Sequence, residues 1–194
     1  MKWRELAIEL DAAISAVGEP ERRRLVDLGI PEDLLGPKLP MIGIAQIKVS
    51  RSLLYEPSPD GWTALITPVL IDSPMSPEAA NPVATARYAG DLVDLVAWRP
   101  DRPSLRATRT GAATWLGAIA PQYLPPAPAH VWRSVLKWFR ARLDGLVLLS
   151  DDPVECWRLL DDCQGGIVPE DAGHAAELRV ALARPWASPR VRAA

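Results

Sequence analysis

Two adjacent aspartates, Asp151-Asp152, follow the apolar run Leu146-Val147-Leu148-Leu149 in this chain of 194 residues. Open α/β sheets place their sites just past the carboxyl ends of buried strands. A carboxylate pair there can hold Mg²⁺ for phosphoryl chemistry, with Glu170 or Asp94 as a further oxygen ligand. Asp152 also precedes Pro153 and stands three residues before Glu155. That is the pattern of a helix cap: the Asp accepts free backbone N–H groups, and proline suits the first helical turn. Capping accounts for the same residues with fewer assumptions. The leading expectation is therefore no cofactor and no metal, with Mg²⁺ as the alternative.

A second set of residues is basic. From Arg99 to Arg142 there are eight cationic side chains against Asp101 alone, interleaved with Trp98, Trp115, Trp132 and Trp138. Guanidinium groups for phosphates and indole faces for unstacked bases are the ingredients of single-strand binding. Arg106, Arg109, Arg133, Lys137 and Arg140 are the residues expected to carry it. Arg133, Lys137 and Arg140 line up at helical spacing, and Arg106 and Arg109 precede a helix expected at Gly111. At least two of the four indoles should be structural. From Asp144 to Leu178 the balance reverses, with nine acids against Arg158 alone. The split fits a partner surface; it fits equally well two halves that pair with each other, or solvated faces. No phosphate-binding glycine loop and no serine-hydrolase elbow occurs. His130 has no nucleophile placed near it by any pattern, and His174 is expected to be partly exposed on an amphipathic helix. Cys156 and Cys163 sit about 10 Å apart on one helix at 1.5 Å per residue, too far for a disulfide. Both read as buried thiols.

These residues need elements to position them. Val131, Val135, Phe139 and Leu143 recur every fourth residue and predict a helix, ended by Gly145. Residues 146–149 read as a strand covered on both faces, and Pro153 to Cys163 as a helix stopped by Gly165-Gly166. Ile167-Val168 is a short strand, and a last helix opens at Pro169-Glu170-Asp171. Helix and strand alternate as in a small parallel α/β unit. Upstream, residues 3–17 and 19–28 read as helices and 30–36 as a helical turn. Ile42 to Tyr55 and Trp62 to Ile71 form an antiparallel hairpin around the turn at Pro57 to Gly61. Asp91 to Trp98 is a third, central strand, with Asp94 expected on its solvent face. Leu105 to Thr108 is a short strand, and Gly111 to Ile119 a short helix around Trp115.

The fold class is therefore α+β, or mixed α/β: N-terminal helices, an antiparallel hairpin-based sheet and a C-terminal α/β unit. One domain over 1–194 is expected, helical over 1–40, mainly β over 41–110, α/β over 111–184, with a tail at 185–194. Nearly half the residues are apolar, enough for a real core. The 20 prolines, about twice the usual share of roughly 5%, predict long irregular connections, at 74–82 and 121–128 among others. No apolar stretch of about 18 residues and no signal-peptide pattern occurs, so the expected place is the cytoplasm, with no membrane contact.

The segments TPVLIDSP (67–74), DLVDLVAWRP (91–100), GAATWLGAI (111–119), GLVLLS (145–150) and GGIVPEDAGHAAEL (165–178) give the chain a further character. Together they resemble uncharacterised proteins carried by bacterial prophages and mobile elements. The resemblance implies an accessory or interaction protein of such an element, in or near its replication module, with a protein or single-stranded nucleic acid as partner. It implies no site residue. The alternative is a metal-dependent nucleic-acid enzyme. Asp151 and Asp152 would then serve as catalytic residues in an acidic site similar to that of Toprim nucleases and primases. The adjacent aspartates depart from that family's Asp-x-Asp.

Overall fold

In the computed structural model, residues 3–35, 41–70, 92–117, 128–161, 163 and 165–183 are described. The mixed α+β class is as expected: among the described residues, five helices accompany one antiparallel and one mixed sheet. The loop at 74–82, most of that at 121–128 and the tail from 185 lie outside the described residues.

Helices α1 (Trp3–Ser15) and α2 (Glu19–Asp27) lead through a 3₁₀ turn (Glu32–Leu35) into β1 (Gly43–Val49), β2 (Tyr55–Pro57), β3 (Trp62–Leu70), β4 (Leu92–Arg99) and β5 (Arg102–Thr108). These five strands make an antiparallel sheet in the order β2-β1-β3-β4-β5. The expected hairpin is thus three strands. β2 and β3 both pair with β1, one on each side, both reaching Ile47. Residues 58–61 step across β1, with the Ser58 N–H donating to the Gln46 carbonyl. Gly61 permits that crossing, because a Cβ there would stand 2.2 Å from the Ile47 carbonyl oxygen. A lone parallel bridge, Leu54 to Thr108, draws the two edges of the sheet together.

Strand alternation sends side chains to two cores. Ala64 and Ile66 of β3 and Leu95 and Ala97 of β4 join Leu6, Ala7, Leu10 and Ala13 of α1. Leu65, Val69, Val96 and Trp98 face the other way, into a core shared with α2, the 3₁₀ turn and the second sheet. That second sheet comprises β6 (Trp115–Gly117), β7 (Ala129–Trp132), β8 (Leu146–Leu148) and β9 (Ile167–Pro169), ordered β6-β8-β7-β9. β6 runs antiparallel to β8, while β8, β7 and β9 are mutually parallel. Helix α3 (Val135–Arg140) buries Val135, Trp138 and Phe139 in the shared core, where Phe139 stacks on Trp98 at 5.8 Å. Helices α4 (Pro153–Asp161) and α5 (Ala172–Ala183) cover the opposite face with Leu160, Leu178 and Leu182. No helix among the described residues is long and apolar enough to cross a membrane.

Three further expectations change. The helix read over 131–143 is a strand followed by a short helix. Ser134 separates them, extended (φ −137°, ψ 150°) and capping α3 by accepting from the Lys137 N–H at 3.3 Å. The helix read at Gly111 is absent from the described residues, where Trp115–Gly117 is strand β6.

The third is Asp94, expected at the solvent. It is 0% exposed, because β4 lies inside its sheet and both of its faces are covered. Its partners are backbone. Oδ1 accepts from the N–H groups of Leu95 (2.8 Å), Arg109 (3.0 Å) and Thr110 (2.9 Å); Oδ2 accepts from those of Ala112 (2.9 Å) and Ala113 (3.2 Å). A buried carboxylate is tolerable when donors replace its water. Asp94→Asn keeps the size but turns one acceptor into an NH₂ group facing N–H donors. It should lower the unfolding free energy by about 2–3 kcal/mol, and Asp94→Ala by about 3–5 kcal/mol. Urea denaturation measures both, and a loss under about 1 kcal/mol for the alanine variant would contradict this account.

Candidate functional site

The site is assembled where the parallel strands of the second sheet end. The chain leaves β7 into α3 on the side of the shared core, and leaves the adjacent β9 into α5 on the opposite face. Neighbouring parallel strands whose exits diverge this way leave a crevice at their carboxyl ends. Here that edge carries Arg133 after β7, Ser150 and Asp151 after β8, and Glu170 and Asp171 after β9.

One part of the edge is filled by ion pairs. Arg133 donates to both carboxylate oxygens of Glu177 (3.1 Å each) and to Asp171 (2.6 Å). Glu170, its side chain 7% exposed, accepts from the Arg133 backbone N–H (3.2 Å) and from Lys137 Nζ. Burial works against the Glu170 charge. Lys137 and Arg133 outweigh it and hold the carboxyl below the ordinary carboxylate range. Asp171 is held low as well, first by Arg133 and then by the His174 N–H it caps at 2.8 Å.

His174 was expected to be partly exposed and is 5% exposed. Its Nδ1 accepts from the Glu170 N–H at 3.2 Å, which requires the neutral ring with its proton on Nε2. Burial, then the nearby Arg133, lower its proton affinity.

The other part of the edge is open. A groove of about 530 Å³ runs between β5, the carboxyl ends of β7 and β8, and α5. Val131, Leu148, Leu178 and Leu182 give it a mostly apolar wall, and Arg106 of β5, Asp151 after β8 and His174 of α5 line it as well. Cys156 lines it too. Its Sγ–H donates to the Ser150 carbonyl (3.2 Å), and burial pushes the thiol up, so it is no ready nucleophile. Ser150 Oγ donates to Glu155 at 2.6 Å and accepts from the Asp152 N–H at 3.1 Å.

The sequence-predicted basic residues are scattered. Arg109 donates to Glu9 of α1 at 2.8 Å, and Tyr55 donates its hydroxyl to the other oxygen of Glu9, also at 2.8 Å. Burial and Glu9 push the Tyr55 phenol far up. Arg140 donates to the Leu28 carbonyl at 2.7 Å, joining α3 to the end of α2. Arg133 precedes α3 rather than lying on it, so the expected row Arg133, Lys137, Arg140 is not one helical face; Arg133 and Lys137 meet instead around Glu170. Arg106 lies at the groove. Three of the four indoles are anchored within the chain: Trp98 to Thr67, Trp132 to the Asp144 carbonyl and Trp138 to the Gly145 carbonyl. Sequence reasoning missed Cys156, Glu177 and His174 as neighbours of this edge, although it placed Asp151 just past the carboxyl end of the strand at 146–149.

For the acidic pair, Asp152 Oδ1 accepts from the Val154 N–H at 2.8 Å, the bond of a helix cap. Asp151 is exposed and 3.7 Å from Arg106 Nη2. Among the described residues no group of three or more His, Cys, Asp or Glu side chains is placed to hold a metal ion. Asp94 points its oxygens at backbone N–H groups, and Glu170 at cations.

Two predictions follow from these bonds. Asp152→Ala should cost about 1 kcal/mol in stability, with identical calorimetric titrations of Mg²⁺ into wild type and variant; saturable Mg²⁺ binding lost in the variant would restore the metal reading. For His174, the unfolded ring takes its proton near pH 6.5, the buried ring only at lower pH. Above that value both states are neutral and stability is full. As pH falls below it, the unfolded state binds the proton first, and stability declines until the native ring protonates too. The thermal midpoint should therefore fall between pH 7 and 5.5, above the range where Glu170 and Asp171 lose their charge. His174→Gln, whose amide oxygen can still accept from Glu170, should flatten that decline. An unchanged slope would remove His174 as its source.

Comparison with protein-family models, with curated proteins and with solved structures finds no match to this chain, which leaves the geometry of the crevice as the ground for a functional reading.

Proposed function

We propose that this protein is a binding module that takes a small, mostly apolar ligand in the groove between β5, the carboxyl ends of β7 and β8, and α5. The observation that carries the proposal is the groove itself. Its volume of about 530 Å³ falls within the range of small-molecule sites, roughly 300–1,000 Å³. It has their composition as well, an apolar wall with a few convergent polar groups, and it lies at the strand edge where α/β sheets bind ligands. Binding is favoured over chemistry by the state of the nearby nucleophiles. The Cys156 thiol is raised by burial, and the Ser150 hydroxyl is engaged with Glu155 rather than with a base such as His174.

An accessory role in a phage or mobile element, as the resemblance in sequence suggests, suits a module of this kind. Contact with single-stranded nucleic acid has less support. Arg109, Arg133 and Lys137 would have to leave carboxylates, and Arg140 a backbone carbonyl, before meeting phosphates. The metal-dependent enzyme has less still, since Asp152 is engaged as a cap.

Ala181 of α5 lines the groove from an exposed position, so Ala181→Trp should occlude it without disturbing the core. In a thermal-shift screen of small carboxylates, phosphates and uncharged apolar compounds, at least one should stabilise the wild type. At a hundred times its Kd a ligand adds about 2.7 kcal/mol, a shift of about 5 °C or more for a chain of this size. The same compound should not shift Ala181→Trp. Equal shifts in both proteins, or none in the wild type, would remove the groove as the site.

A further inference from the structure

Among the described residues, the groove contains one cation with a buried nitrogen that has no hydrogen-bond partner. Arg106 comes from β5, with its side chain 22% exposed. Its Nε is shut off from solvent and has no hydrogen-bond partner, the one such buried side-chain nitrogen or oxygen among the described residues. Its ion pair is a 3.7 Å approach of Nη2 to Asp151, beyond hydrogen-bonding distance, and the Asp151 side chain is 70% exposed. Burial opposes the guanidinium charge, and Asp151 offsets this only in part.

The other arginines of this region differ. Arg133, on the same groove, has two carboxylates at hydrogen-bonding distance, and Arg109 has Glu9. A half-desolvated guanidinium without an acceptor is costly, since an unmet buried donor forfeits the water it gave up. Such a group persists where something outside the chain completes it.

We infer that Arg106 is the anion-recognising group of the groove, and that the ligand is a small monocarboxylate with an apolar body. This rests on the groove being a binding site and adds the ligand's class. The guanidinium is a planar fork matched to carboxylate, and a charge-assisted pair there is about twice as strong as a neutral hydrogen bond. Asp151, itself a carboxylate 3.7 Å away, stands where the head group would approach and swings aside into water. The apolar body lies along Val131, Leu148, Leu178 and Leu182. A doubly charged phosphate fits less well, because Arg133, the other cation of the lining, is already paired with Glu177 and Asp171, and Asp151 places a negative charge 3.7 Å from Arg106.

Octanoate, octanamide and octyl phosphate are the probes, titrated calorimetrically into the full chain. Octanoate should bind, with octanamide and octyl phosphate each weaker by tenfold or more. Arg106→Met, which keeps the length and discards the charge, should weaken octanoate by tenfold or more and leave octanamide unchanged. Its thermal midpoint should equal or exceed that of the wild type, because an unmet buried charge has been removed. Arg106→Lys guards against misfolding of the methionine variant and should also bind octanoate less well, having lost the fork. Octanamide binding as tightly as octanoate, or octanoate indifferent to both Arg106 variants, would overturn the assignment while leaving the groove as a site for apolar ligands. Tighter binding of octyl phosphate would overturn the choice of carboxylate. Failure of all three probes, together with no effect of Ala181→Trp in the compound screen, would overturn the groove as a site and this inference with it.

Discussion

The Asp94 carboxylate is the constraint on which the relation of the two sheets depends. It sits in the middle of β4 with no solvent to stabilise its charge, and backbone N–H groups from residues 109–113 take the place of water. Those residues form the short passage from β5 of the first sheet to β6 of the second. The next residue continues the chain of bonds. Thr114 offers its carbonyl to the N–H groups of Leu149 and Ser150 at 2.9 and 3.2 Å, holding the carboxyl end of β8. Ser150 accepts from the Asp152 N–H, and Asp152 caps α4. One buried charge thereby fixes how β5 stands to β8, and so the spacing between Arg106 and Asp151 across the groove.

Charge organises the second sheet by a different route. The basic stretch 99–142 and the acidic stretch 144–178 look like opposed surfaces when written in a line, yet several of their charges are partners in space. Arg133 meets Glu177 and Asp171, Lys137 meets Glu170, and Arg106 approaches Asp151. Exposed pairs such as Arg133 with Glu177 contribute little to stability, because water screens them. Glu170 is the exception, because its side chain is 7% exposed and the loss of a partner would strand a buried charge. The pairing joins the exits of β7 and β9, the two strands whose chains diverge, and keeps the crevice from splaying there. It also locks His174 in place through the Glu170 N–H, which ties the orientation of α5 to the protonation of one ring.

Local signals in the sequence were sufficient wherever a residue's role depends on its neighbours in the chain. The Asp152-Pro153 start of α4, the apolar strand at 146–148 and the two N-terminal helices are of this kind, and all are present close to the expected bounds. They were insufficient where periodicity is ambiguous. Val131, Val135 and Phe139 are all apolar, but Val131 faces α5 from a strand while Val135 and Phe139 face the shared core from a helix. Four-residue spacing cannot tell that join from a continuous helix; Ser134, a cap in mid-pattern, was the available clue. Trp115–Gly117 is too short to carry a period of its own. Asp94 fails for another reason. One acid in an apolar run reads as the exposed residue of a half-buried strand unless the partners are known, and its partners come from 109–113 through the fold.

The groove belongs to that last class. Its walls come from residues 103–106, 131–133, 148–156 and 174–182, four stretches that no spacing rule connects. Arg106 in particular reads as one of five cations expected to meet phosphates. Its distinction is the absence of an acceptor, a property of position and of no sequence pattern. The other cations show what the fold does with charge when nothing further is asked of it. Arg109, Arg133, Lys137 and Arg140 each end on a carboxylate or a carbonyl. A chain able to neutralise those four has the means to neutralise a fifth, and the nearest carboxylate, Asp151, stands 3.7 Å from Arg106. That Asp151 stays exposed while Arg106 is half-desolvated leaves an anion-sized demand at the mouth of an apolar groove. Local departures from full satisfaction of this kind are expected where function, rather than stability, has set the residue.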